Sequence, residues 1–88
     1  MPTQSVAVVN NVGLHAAPLA RFVTLARSFP ETTIRVRRAA READAKSLVG
    51  MLSLEALQGT EIEITTSGPR DEEALQALVD LIARGDAI

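Results

Sequence analysis

The stretch Asn11-Val12-Gly13-Leu14-His15-Ala16-Ala17-Pro18-Leu19-Ala20-Arg21 decides how the chain is read. An alternating strand pattern stops here and a helical one begins. Leu19, Phe22, Val23 and Ala26 recur at i, i+3, i+4 and i+7, the apolar stripe of an amphipathic helix. Gly13 permits a backbone turn that other residues resist. Pro18 fits only the first turn of that helix, where its missing N–H costs little. His15, the only histidine, therefore falls at or beside the N-cap.

That position has chemical consequences. The first amides of a helix have no internal partners, and with the helix dipole they favour an anion, phosphate above all. Pro18 has no N–H, so Ala16 and Ala17 are the expected donors. The same positive dipole end disfavours imidazolium and keeps the ring neutral, as a nucleophilic nitrogen requires. A neutral imidazole beside a phosphate cradle suggests a transient phosphohistidine. The bland alternative is a mediocre N-cap, but better capping residues exist and are not used here.

Upstream, residues 4–9 read as a strand with Val6 and Val8 on one side. The first helix is expected over 16–28, and Pro30 ends it. Residues 32–38 alternate, with Ile34 and Val36 facing the core and Thr33, Arg35 and Arg37 facing solvent. A turn at 39–41 leads to a weak strand over 42–45. Ser47 is a good N-cap for a short helix from Leu48 to Leu54 or Ala56. Residues 60–66 alternate with Ile62 and Ile64 inward, and Gly68-Pro69 is a turn signal. Asp71, Glu72 and Glu73 open a last helix whose stripe is Leu75, Leu78, Val79 and Ile82, with Gly85 as its C-cap.

The order β-α-β-β-α-β-α suits one small α+β domain over 1–88, a sheet with helices on one face. Apolar residues make up 47% of the chain, yet Phe22 and Phe29 are its only aromatics, so the core must be aliphatic. The chain has no cysteine, which excludes disulfides and thiolate metal sites and fits a reducing compartment. One histidine and unsuggestive carboxylate spacing give no metal site, and no cofactor is expected. No apolar run reaches membrane-spanning length, and the N-terminus lacks a signal-peptide layout. The expected location is the cytoplasm, without direct membrane contact. A net charge of −2 argues against a general nucleic-acid binder. Arg35, Arg37, Arg38 and Arg41 read most simply as a solvated outer sheet face, since no aromatic stands beside them to stack bases.

Three segments together resemble a known family. Gly13-Leu14-His15-Ala16-Ala17-Pro18 is similar to the motif Gly-Leu/Ile-His-Ala/Thr-Arg-Pro of HPr, the histidine phosphocarrier of the bacterial phosphoenolpyruvate:sugar phosphotransferase system. The stretch 46–54 resembles that family's regulatory serine segment, and 59–68 its final strand and following turn. Where the family has an arginine two residues after the histidine, this chain has Ala17.

The resemblance implies an HPr-like open-faced β-sandwich, a four-stranded antiparallel sheet of order 1-4-2-3 with three helices on one face. It implies a monomeric phosphocarrier and not a stand-alone enzyme. His15 would take a phosphoryl group on Nδ1 from phosphorylated enzyme I and pass it to the A component of a sugar permease. Ser47 would be the site of an HPr kinase/phosphorylase where the organism has one. Leu48, Val49 and Leu52 would form the partner-docking patch, with Arg27 meeting acidic partners, while Met51 belongs to the core. Arg21 lies one turn beyond Ala17 on the same face and is placed to reach back toward a phosphate on His15. Two other readings are a degenerate, mainly regulatory HPr-like protein, raised by Ala17, and a small ligand- or RNA-binding α/β domain.

Overall fold

The computed structural model describes residues 2–7, 16–54 and 60–83, and of these the side chains of all but 16–18. Within them run β1 (Thr3–Ala7), α1 (Ala16–Arg27), β2 (Thr33–Arg38), β3 (Arg41–Asp44), α2 (Leu48–Ser53), β4 (Glu61–Ser67) and α3 (Asp71–Ala83). The expected order of elements is the observed one, and the bounds differ by a residue or two at their ends, where turns fray. Val8, Gly13, His15, Gly59 and Gly85 lie outside the described residues.

All strand pairs are antiparallel, in the spatial order β1-β4-β2-β3. β4 therefore sits between the first strand and the central hairpin, with Val36 opposite Ile64 and Val6 opposite Ile62. One sheet face carries Ile34, Val36, Ala43, Ile62 and Ile64, all buried in a single cluster with residues from all three helices. α1 contributes Leu19, Phe22, Val23 and Ala26, and α3 contributes Ala74, Leu75, Leu78, Val79 and Ile82. The period of 3.6 along each helix and of 2 along each strand converge on one apolar layer. The opposite face is polar: Arg35 pairs with Glu42 at 2.8 Å and Arg37 with Glu63 at 3.0 Å.

Two connections are fixed by backbone geometry. Gly68 adopts φ +116°, and a Cβ there would stand 3.0 Å from the Glu31 carbonyl, so only glycine fits the turn into α3. That turn is tied down further, because Thr32 Oγ1 donates to the Pro69 carbonyl and the Arg70 guanidinium lies 4.7 Å from the Phe29 ring centroid. Arg70 also bonds Glu73 at 2.5 Å. The bond raises the arginine pKa and lowers that of the carboxyl. The β2–β3 turn is less comfortable, since Ala39 takes φ +54°, a region that costs an L-residue with a Cβ roughly 1–2 kcal/mol.

The arginine cluster divides. Arg35 and Arg37 occupy the solvated face as expected. Arg38 and Arg41 stand opposite each other across the hairpin, at the register positions that continue the inward side of Ile34, Val36 and Ala43, and of the two only Arg41 stays exposed as expected. Arg38 is half-buried there. The expectation of one outer face of arginines is corrected on this point. The hairpin tip extends past the apolar layer, so its inward side meets a helix end and not the core.

Candidate functional site

α1 begins at Ala16, the residue directly after His15 in the chain. His15 itself lies outside the described residues, as do the side chains of Ala16 and Ala17, so the expected phosphate cradle is described only by where its helix begins. Arg21 is on α1 and exposed, between the buried Leu19 and Phe22. Arg27 ends the helix, is exposed, and donates Nε to the Lys46 carbonyl at 2.9 Å. The last turn of α1 is thereby tied to the residue before Ser47.

α2 is built at its N-terminus by Ser47. Its φ of −108° and ψ of 113° are extended, and its Oγ accepts the Gly50 amide at 3.0 Å. The Ser47 carbonyl accepts the Met51 amide at 2.9 Å. This is the N-cap expected from the sequence, and it satisfies amides the helix leaves unpaired. Gly50 allows the close fit: a Cβ there would lie 3.2 Å from Ser47 Oγ. The preceding Lys46 is held in turn. Its amide donates to Asp44 Oδ1, and its ammonium donates to the carbonyls of Phe29 at 2.8 Å and Thr32 at 2.5 Å.

The helix sorts its apolar residues onto two sides. Met51 is fully buried, Leu54 just beyond the helix is buried too, and Leu48 packs half-buried against the same cluster. Val49 and Leu52, three apart and so neighbours on one face, are 78% and 37% exposed. Among the described residues they are the large hydrophobic side chains left in solvent. Of the expected docking residues, Val49 and Leu52 form an open patch, Leu48 sits at its edge, and Arg27 reaches the same helix from the other end of α1. Met51 is core, as expected.

Three residues near this helix play parts that the sequence did not assign to them. Lys46 anchors its N-terminal side as described. Arg38 Nε donates to the Leu54 carbonyl at 2.5 Å, and Arg41 Nη1 donates to the Ser53 carbonyl at 3.0 Å. One signal for Arg38 was in the sequence: it continues the even-numbered inward register of Ile34 and Val36. The role of Arg41 depends on the turn, whose residues Ala39 and Ala40 gave no type.

The chain matches the family profile of the PTS HPr component phosphorylation site over residues 2–84. It is 37% identical over 82 residues to phosphocarrier protein HPr of Pseudomonas putida, covering 93% of this chain and 91% of that protein. It is 33% identical over 82 residues to phosphocarrier protein NPr of Escherichia coli K12, with the same coverage. The crystal structure of HPr-C-His from Thermoanaerobacter tengcongensis superposes with a TM-score of 0.93 at 37% identity, covering 98% of this chain and 96% of that one. The chain belongs to the HPr family, the phosphocarriers of the phosphotransferase system. Such a protein carries a phosphoryl group and is not a stand-alone catalyst. Among the described residues no helix is long and apolar enough to cross a membrane.

Proposed function

We propose that this protein accepts a phosphoryl group on His15 from phosphorylated enzyme I and hands it to the A component of a sugar permease, working as a monomer in the cytoplasm. The observation that carries the reading is that α1 opens at Ala16, immediately after the only histidine. Nδ1 of neutral His15 attacks phosphorus, and the new N–P bond forms as the bond from phosphorus to the donor histidine breaks. The departing nitrogen keeps the electron pair. The second transfer repeats the step with His15 as the leaving group. Such transfers depend on positioning and charge stabilisation more than on covalent chemistry by the protein. The Ala16 and Ala17 amides and the Arg21 guanidinium serve as the phosphate-binding groups.

Docking is assigned to Val49 and Leu52, with Leu48 at the edge and Arg27 toward acidic partners. An exposed pair of aliphatic side chains suits a brief complex, which a carrier needs because it must dissociate to pass its group on. Ser47 is proposed as a regulatory phosphorylation site where an HPr kinase/phosphorylase exists. A phosphate there adds a charge of ~−2 beside the docking patch and repels an acidic partner. Incubation with enzyme I and labelled phosphoenolpyruvate tests the carrier role. The protein is expected to acquire acid-labile, base-stable label, and failure to take up label would overturn it.

One observation favours a second reading, a mainly regulatory HPr-like protein: Ala17 stands where the family has arginine. The two readings separate on Arg21. As a carrier whose Arg21 substitutes for the missing arginine, the protein loses transfer rate in Arg21→Ala and regains much of it in Arg21→Ala with Ala17→Arg. If wild type is nearly inactive and Ala17→Arg alone brings rapid transfer, the regulatory reading is the better one.

A further inference from the structure

We propose that Arg38 and Arg41 are positioning residues for docking. They fix the C-terminal end of α2 to the β2–β3 hairpin so that Val49 and Leu52 meet the phosphoryl donor as one preformed patch. The inference rests on the docking role proposed above for α2 and adds residues that touch neither partner nor phosphate.

α2 has six residues, too few for a helix to hold itself, and within it only Met51 is buried. Its ends must therefore be held from outside. Ser47, Lys46 and Arg27 hold the first end through bonds already described. The other end exposes C-terminal carbonyls that carry the negative end of the dipole, and its last turn has no basic residue. The cations come instead from the hairpin. Arg38 takes the Leu54 carbonyl at 2.5 Å and Arg41 takes the Ser53 carbonyl at 3.0 Å. These are charge-assisted bonds, the stronger kind. The two arginines are direct cross-strand partners, so the hairpin register sets them side by side beneath the helix end. Arg38 occupies an inward position where Ile34 and Val36 would lead one to expect an aliphatic residue, and it is half-buried there.

The consequence falls on the opposite face of α2. In the free protein Val49 is 78% exposed and contributes little to holding the helix, while Leu52, 37% exposed, contributes only in part. A patch on a loosened helix must be ordered at the moment of docking, which weakens a small interface directly. A clamp that pre-orders it therefore acts on the encounter with the partner and not on the chemistry at His15.

The test compares Arg38→Met, Arg38→Lys and Arg41→Gln with wild type. It reads KM and kcat for phosphoryl acceptance from enzyme I, together with hydrogen exchange of the amides of 50–54. Arg38→Met is expected to raise KM by about threefold to tenfold with kcat nearly unchanged, as loss of a pre-ordering contact predicts. The α2 amides should exchange faster while those of α3 hold. Arg38→Lys recovers most of the KM, and Arg41→Gln moves in the same direction by less. Faster α2 exchange with wild-type KM would make the clamp merely structural and overturn the proposal, as would unchanged exchange in Arg38→Met. Wild-type protein that accepts no phosphoryl group would defeat the carrier reading and with it the docking half. The exchange data would still decide whether the arginines hold the helix.

Discussion

α3 buries Ala74, Leu75, Leu78, Val79 and Ile82 along thirteen residues, whereas α2 buries only Met51 along six. The two helices lie on the same face of one sheet. α3 is held by area: its stripe faces the strands, and Asp71, Glu72 and Glu73 complement its dipole from within its own first turn. α2 is held by its ends, through Ser47 at one and the hairpin arginines at the other. A helix fastened by its ends can leave aliphatic side chains in water without losing its place. The difference separates the part of the molecule that makes the fold from the part that presents a surface.

Substitution at the middle of the α3 stripe should have the largest effect. Leu78 is fully buried, and Leu78→Ala is expected to cost ~2–5 kcal/mol of stability from lost burial and a residual cavity. Urea unfolding measures it. A loss below ~1 kcal/mol, the scale of a single cap, would mean that the stripe does not carry α3.

For α2 the matching change is at the cap. Ser47→Ala is expected to cost ~1 kcal/mol and to speed hydrogen exchange in α2 while leaving α3 amides protected. Equal loss of protection in both helices would mean that α2 and α3 are held in the same way. Ser47→Asp keeps the cap, because a carboxylate also serves at that position.

The smallest effect is expected in the hairpin that carries the arginine clamp. Ala39 sits at φ +54°, and Ala39→Gly is expected to stabilise the protein by ~0.5–1 kcal/mol, the relief of left-handed strain less the added backbone entropy of glycine. Thermal melting reads it, and destabilisation would show that the turn is not strained.

The sequence revealed α3, α1 and the strand alternation because each rests on local periodicity. Ile34, Val36, Ile62 and Ile64 are buried as their spacing required. The strand order did not follow from periodicity, since Val6 meets Ile62 across 56 residues of chain and nothing local encodes that pairing; the family resemblance supplied it. α2 was legible at Ser47, where a capping residue precedes an apolar run, whereas Val49 was picked out by the family resemblance. Arg38 was misread because a charged residue beside Arg35 and Arg37 looks like solvent-facing surface until the hairpin register assigns its side; Arg41 is exposed as read, and only its bond to α2 was not legible. His15 stood out by its uniqueness and the Gly–x–His–x–x–Pro frame, from which its chemistry is proposed, and its geometry lies outside the described residues.

The most direct test of the account is the phosphoryl acceptor itself. Wild type and His15→Ala are compared for label uptake from phosphoenolpyruvate in the presence of enzyme I, with circular dichroism on both. The account predicts rapid acid-labile labelling of the wild type, none of the variant, and superimposable spectra. Label taken up by His15→Ala at near the wild-type rate would contradict it.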